Sequence, residues 1–169
     1  MRTWILTLGF LLLARPSFSV VQLGETVPDM CWNTSENWML CLSDIRSAVV
    51  VLMYGAGWCP GCNDEASEVA SRFSEMNGKP VIFISLSSEG FSHGAPVDQA
   101  FLNSWKQKHK IPFHVAAAPR DPGKQFFSPP NYIPAVAVID GEGKLAFKDI
   151  EPPISKLFQE VNRLIKEIK

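Results

Sequence analysis

The 169-residue chain predicts an α/β layered domain, a mixed β-sheet flanked by helices with a β-hairpin ahead of it. Three observations carry this expectation. The continuous apolar run "AVVVLMY" (48–54) reads as a strand buried on both faces, and "PVIFISLS" (80–87) as a second buried strand. Apolar residues at spacings of three and four mark helices between strands in the first part of the chain. The last part holds two strand-like runs joined by "GEGK", followed by an amphipathic helix.

The elements follow in order. Residues 1–19, "MRTWILTLGFLLLARPSFS", have the layout of a secretory signal peptide: Arg2, an apolar block from Trp4 to Ala14, then the small residues Ser17 and Ser19. Arg15 and Pro16 cut the block well short of the ~20 residues a membrane span needs. The mature domain is expected to be 20–169, exported to a periplasm or secreted, with no stable membrane insertion after cleavage. "LGETVPDM" is an extended lead-in. "CWNTSENWMLCL" reads as a tight hairpin with Ser35, Glu36 and Asn37 as its turn. After the 48–54 strand, Cys62, Ala66, Val69, Phe73 and Met76 line one helical face, and Asn77-Gly78 supplies the stop. A second strand (80–87), a loop (88–96) and a helix over 96–110 with Val97, Phe101 and Trp105 on one face come next. Strands at 111–118, 135–140 and 145–150 follow. The chain closes with a helix from Ile154, its stripe formed by Leu157, Val161, Leu164 and Ile165.

Apolar residues make up 46% of the chain and charged residues 20%, enough apolar content for a sizeable core. A net charge of −1 argues against a nucleic-acid or anionic-membrane surface. Removing 1–19 takes away Arg2 and Arg15 and no acid, so the mature domain is more acidic still. Four cysteines in an exported chain can form lasting disulfides.

Two of these cysteines stand in "WCPGC", at the junction of a strand and a helix. Such a pair can be a metal clamp, a structural staple or a redox centre. Zinc needs further ligands: Cys31 and Cys41 are not in CxxC spacing, and His93, His109 and His114 form no cluster. A two-residue intervening loop makes a poor staple, because it constrains the unfolded chain little. The redox reading has a positive argument. A cysteine ahead of a helix's first turn faces unpaired N–H groups and the positive end of the dipole, both of which favour thiolate. Pro60 suits the first turn, and Pro60 and Gly61 shape the link between the sulfurs. Cys59 is therefore expected to be exposed at the helix tip, and Cys62 half buried one turn on. Trp58 reads either as a packing residue or as a shield and docking surface for the dithiol. The three histidines read as surface or hydrogen-bonded residues.

"WCPGC" after a buried strand, with "YIPAVAVIDGEGK" some seventy residues later, resembles the thioredoxin superfamily. The hairpin and the exported chain resemble its TlpA-like branch of thiol–disulfide oxidoreductases, over roughly residues 24–168. The resemblance implies that Cys59 attacks, Cys62 resolves and Pro134 is cis beside the disulfide. It implies that the backbone of Ile133 pairs with a substrate chain, with Trp58, Pro60 and Gly61 completing the docking surface. Glu65 occupies a position where many members carry an active-site glutamate, though an ordinary solvated helix carboxylate is the plainer reading. Gly55, Ser67 and Ala135 depart from the family's usual aromatic, proline and threonine. The implied partners are protein thiols and disulfides and an upstream redox protein, and the implied protein is a monomer without cofactor or metal.

Two other functions stay open. A copper chaperone on the same fold would add a histidine, His93 or His114, to the soft thiolates. A thiol peroxidase on this fold usually has threonine or serine three residues before the attacking cysteine, where Ala56 stands. The second cysteine pair follows from register. With Ser35, Glu36 and Asn37 as the turn, Thr34 faces Trp38 and Cys31 faces Cys41, within reach of a disulfide. Free thiols or a second redox pair are the alternatives.

Overall fold

The structure is a computed structural model and describes residues 20–118, 124–127 and 132–168. The signal segment at 1–19 lies outside the described residues. The strands are β1 (Cys31–Asn33), β2 (Met39–Cys41), β3 (Val49–Gly55), β4 (Val81–Ser87), β5 (His114–Ala117), β6 (Ala135–Ile139) and β7 (Leu145–Ile150). The helices are α1 (Pro60–Arg72), α2 (Gln99–Lys108) and α3 (Ile154–Ile165), with short 3₁₀ turns at Leu42–Ile45 and Phe73–Met76.

Five strands form one mixed sheet in the order β5-β4-β3-β6-β7. β3, β4 and β5 run parallel, while β6 and β7 run antiparallel to their neighbours. Alternation along β3 divides the core. Val49, Val51 and Met53 face α1, α2 and α3, whose buried residues include Val69, Trp105, Leu157 and Phe158. Val50, Leu52 and Tyr54 face Val21, Val27, Trp32, Leu40 and Phe126. All three helices thus cover one side of the sheet, and the N-terminal segment, the hairpin and Phe126 cover the other. This two-sided burial is why β3 reads as an unbroken apolar run.

The hairpin does more than precede the sheet. Thr34 bridges Ala116, and Ser35 N–H donates to the Val115 carbonyl at 2.7 Å. The turn therefore docks against β5, the strand at the sheet's edge, and occupies groups left unpaired there. Within the hairpin, Asn37 takes the left-handed conformation at φ +62°, and Trp32 pairs with Leu40. Leu42 N–H donates to the Met30 carbonyl, which puts Cys31 and Cys41 at a non-hydrogen-bonded position. The two residues face each other with Cα atoms 4.0 Å apart, and their sulfurs are bonded. Opening this ten-residue separation with Cys31→Ser plus Cys41→Ser should cost about 2–3 kcal/mol in urea unfolding by the chain-entropy argument. An unchanged unfolding curve would show that the bond contributes nothing to stability.

Several element ends differ from the sequence expectation. α2 starts at Gln99 because the Asp98 carboxylate caps the Phe101 N–H at 2.8 Å, which leaves Val97 ahead of the helix. β5 begins at His114, and residues 111–113 lie outside any strand or helix. The last turn of the first helical pattern tightens to 3₁₀ before Gly78, at φ +73°, reverses the chain. In α3 the buried stripe is Ile154, Leu157, Phe158, Val161 and Leu164, with Ile165 only half buried.

Candidate active site

β3 ends at Gly55 and α1 starts at Pro60, so the residues between them turn the chain at the sheet's rim. Cys59 is the N-cap of α1 and Pro60 its first residue. The Cys62 N–H points at Cys59 Sγ, 3.2 Å away, and the two sulfurs are bonded. Cys59 is 5% exposed and Cys62 3%. The expectation of an exposed Cys59 and a half-buried Cys62 is therefore corrected. Ala56, Trp58 and Ile133 close around the disulfide, and Ile133 arrives from a distant part of the chain.

Trp58 is anchored by the loop that follows β4. Its Nε1–H donates to Glu89 Oε2 at 2.5 Å, and Gly57 N–H donates to the Glu89 carbonyl at 2.9 Å. The exposed His93 ring lies over the indole with centroids 3.6 Å apart, and His93 Nδ1 is 3.8 Å from Glu89 Oε2. Close backbone approach explains Gly57: a Cβ there would lie 2.6 Å from Phe101 Cε2 and 2.7 Å from the Gly90 carbonyl oxygen. Gly57→Ala should destabilise by about 1–3 kcal/mol in thermal or urea unfolding. A neutral result would show that the 88–90 loop yields easily.

The Ile133–Pro134 bond is cis. Pro134 lies against the motif, because a Cβ on Gly61 would meet Pro134 Cδ at 3.3 Å and Glu151 Oε1 at 3.6 Å. Gly55 is constrained from the other side, where a Cβ would fall 3.0 Å from Cys62 Cβ. An aromatic at 55 does not fit this packing.

Glu65 sits one turn beyond Cys62 and is 9% exposed, and among the described residues its Oε1 has no hydrogen-bond partner. Burial, and then the like charge of Glu151, push its carboxyl up to about 8. A cavity of about 10 Å³, close to the size of a single water, is lined by Cys62, Glu65, Ser85, Ser87 and Trp105 among others. A plain solvated helix carboxylate is thus ruled out by its burial.

The structure therefore gathers Trp58, Cys59, Pro60, Gly61, Cys62, Glu65, Ile133 and Pro134 at one rim. It does not bring Cys31 and Cys41 there, since they lie on the hairpin docked at β5. His114 packs edge-on against Trp38 of that hairpin, and His109 Nδ1 bonds Ser67 Oγ at 2.8 Å beside α1. Among the described residues no group of three or more His, Cys, Asp or Glu side chains converges on a metal position. Sequence reasoning missed Glu89 and Glu151. A carboxylate in the 88–96 loop carried no signal. Glu151 carried one that only coordinates reveal, a left-handed φ of +50°.

A profile of the AhpC/TSA family matches residues 23–148. The chain belongs to the AhpC/TSA family, within the thioredoxin superfamily. Three solved structures are similar to it in fold. A thioredoxin-family thiol:disulfide interchange protein from Chlorobium tepidum is 14% identical, with TM-score 0.70, covering 87% of this chain and 99% of its own. The thioredoxin domain of a Bacteroides vulgatus thiol-disulfide oxidoreductase is 14% identical, with TM-score 0.64 and coverages of 88% and 99%. A secreted Mycobacterium tuberculosis disulfide oxidoreductase homologous to E. coli DsbE is 16% identical, with TM-score 0.63 and coverages of 80% and 96%. No curated protein matches the chain. In this AhpC/TSA chain, residue 56, three before Cys59, is a fully buried alanine.

Proposed function

We propose that this AhpC/TSA-family chain is an exported thiol–disulfide oxidoreductase that exchanges disulfides with protein partners through Cys59 and Cys62. One observation carries the reading: a bonded cysteine pair at the N-terminus of α1, packed against a cis-proline loop, with a buried protonatable carboxyl one turn on. Residues 1–19 act as a cleaved signal peptide, and the mature monomer works in a periplasm or outside the cell.

In the reduced protein, the Cys62 N–H and the helix dipole favour the Cys59 thiolate. That thiolate attacks one sulfur of a partner disulfide, forming a mixed disulfide and releasing the partner's other sulfur as a thiolate. Cys62 then gives its proton to the Glu65 carboxylate and attacks Cys59 Sγ. The second partner sulfur leaves as a thiolate. The products are the Cys59–Cys62 disulfide and a reduced partner, and the reverse sequence oxidises a partner. Ile133 offers backbone pairing to the partner, while Trp58, Pro60, Gly61 and Pro134 shape the contact.

Cys62→Ser should accumulate mixed disulfides through Cys59, visible by mass spectrometry of non-reduced digests. The absence of any adduct with a disulfide-bonded protein substrate would overturn the reading. Equilibration with glutathione assigns the direction, since values of about −270 mV and −120 mV separate reductants like thioredoxin from strong oxidants. The family match favours one second reading, a thiol peroxidase. Ala56 argues against it, because it offers no hydroxyl beside the attacking sulfur. Peroxide turnover faster than protein-disulfide exchange would select it.

A further inference from the structure

Glu151 touches no reacting sulfur, and its charge acts on the motif from outside by raising the Glu65 carboxyl. Its φ of +50° is a conformation in which a non-glycine residue is strained. The fold nevertheless holds it there, with its N–H donating to the Pro134 carbonyl at 3.0 Å. Its side chain turns toward the motif, so that Oε1 would lie 3.6 Å from a Cβ on Gly61. The residue is exposed, and among the described residues no lysine, arginine or histidine pairs with it. Lys156, nearby in sequence, is committed to Asp149 at 2.7 Å. Next to Pro134 in the chain, Tyr132 is 62% exposed and Ile133 is half buried against the disulfide.

From this we infer that Glu151 is a specificity-determining residue, selecting partner segments with a lysine or arginine beside the reacting cysteine and disfavouring acidic ones. The inference rests on the oxidoreductase reading above. A segment lying along Ile133 and Pro134 to reach Cys59 must pass the Glu151 carboxylate. An unpaired surface charge meeting a charge of the partner at roughly 6 Å in a water-like dielectric changes association about threefold. Partners differing by Lys against Glu at that place differ by two charges, or about tenfold.

The test uses three disulfide-linked peptides identical except for Lys, Gln or Glu beside one cysteine, with exchange rates measured at low salt. Wild type should prefer the Lys peptide over the Glu peptide about tenfold, and the ratio should fall toward one as salt screens the charge. Glu151→Gln and Glu151→Gly should bring the ratio close to one at low salt; the ratio is compared within each protein, because removing the Glu151 charge also lowers the Glu65 carboxyl and shifts the rate of all three peptides alike. Glycine also relieves the positive φ, so a folded variant is assured by one route if not the other. A wild-type ratio near one, or a tenfold ratio that survives both substitutions, overturns the role of Glu151. Failure of wild type to exchange even the Gln peptide overturns the oxidoreductase reading instead, and this inference with it.

Discussion

Cys59→Ser should lower the rate of disulfide exchange with a protein substrate on the order of 10³-fold or more, because it removes the nucleophile. The asymmetry between the two cysteines is built into α1. Cys59 is the N-cap, outside the helical hydrogen-bond pattern, and its Sγ receives the Cys62 N–H at 3.2 Å. Cys62 lies inside the helix and abuts Gly55 and the cavity shared with Glu65. A limiting amount of iodoacetamide should therefore label Cys59 first in the reduced protein. Both sulfurs are buried in the disulfide form, so labelling requires Trp58 and Ile133 to admit the reagent. Preferential labelling of Cys62, or a Cys59→Ser variant that retains wild-type exchange, would reverse the assignment.

Glu65→Gln should change the pH dependence of both stability and exchange. Glu65 ionises at about 8 in the folded protein, against 4.5 for the ordinary carboxyl, and the first cause is burial, with Glu151 second. Between those values the folded state holds one more proton than the unfolded state. Stability from this group is fully present below pH 4.5 and is lost as pH rises through 8. The full span corresponds to about 5 kcal/mol. Glutamine keeps the shape and cannot ionise, so its curve stays flat where wild type declines. The variant should be several kcal/mol more stable than wild type in urea unfolding at alkaline pH. Exchange has the opposite sign in the resolving step. Cys62 needs a base, so the wild-type rate rises as Glu65 ionises near pH 8, and Glu65→Gln removes that inflection. Overlapping stability curves and rate profiles for the two proteins would place Glu65 outside the chemistry.

Features that depend on near neighbours in the chain were legible in the amino-acid sequence. "AVVVLMY" and "PVIFISLS" became β3 and β4 because short, β-branched, largely apolar runs suit strands covered on both faces. The register that opposes Cys31 and Cys41 follows from turn length, since pairing in a hairpin is set by the residues between its strands. The placement of Cys59 ahead of α1 follows from Pro60 and the change of period after it. Tertiary structure alone decided the environment of those residues. Cys59 is buried because Ile133, more than seventy residues away in the chain, closes over it. Glu65 is protonated near neutral pH because its helix face turns into the core and Glu151 approaches from beyond β7. Trp58 is held by Glu89, and the hairpin covers the edge of β5. Periodicity and turn chemistry are set by neighbours along the backbone. Desolvation and charge–charge energy depend on separation through space, which is known only after the sheet has brought the distant segments together.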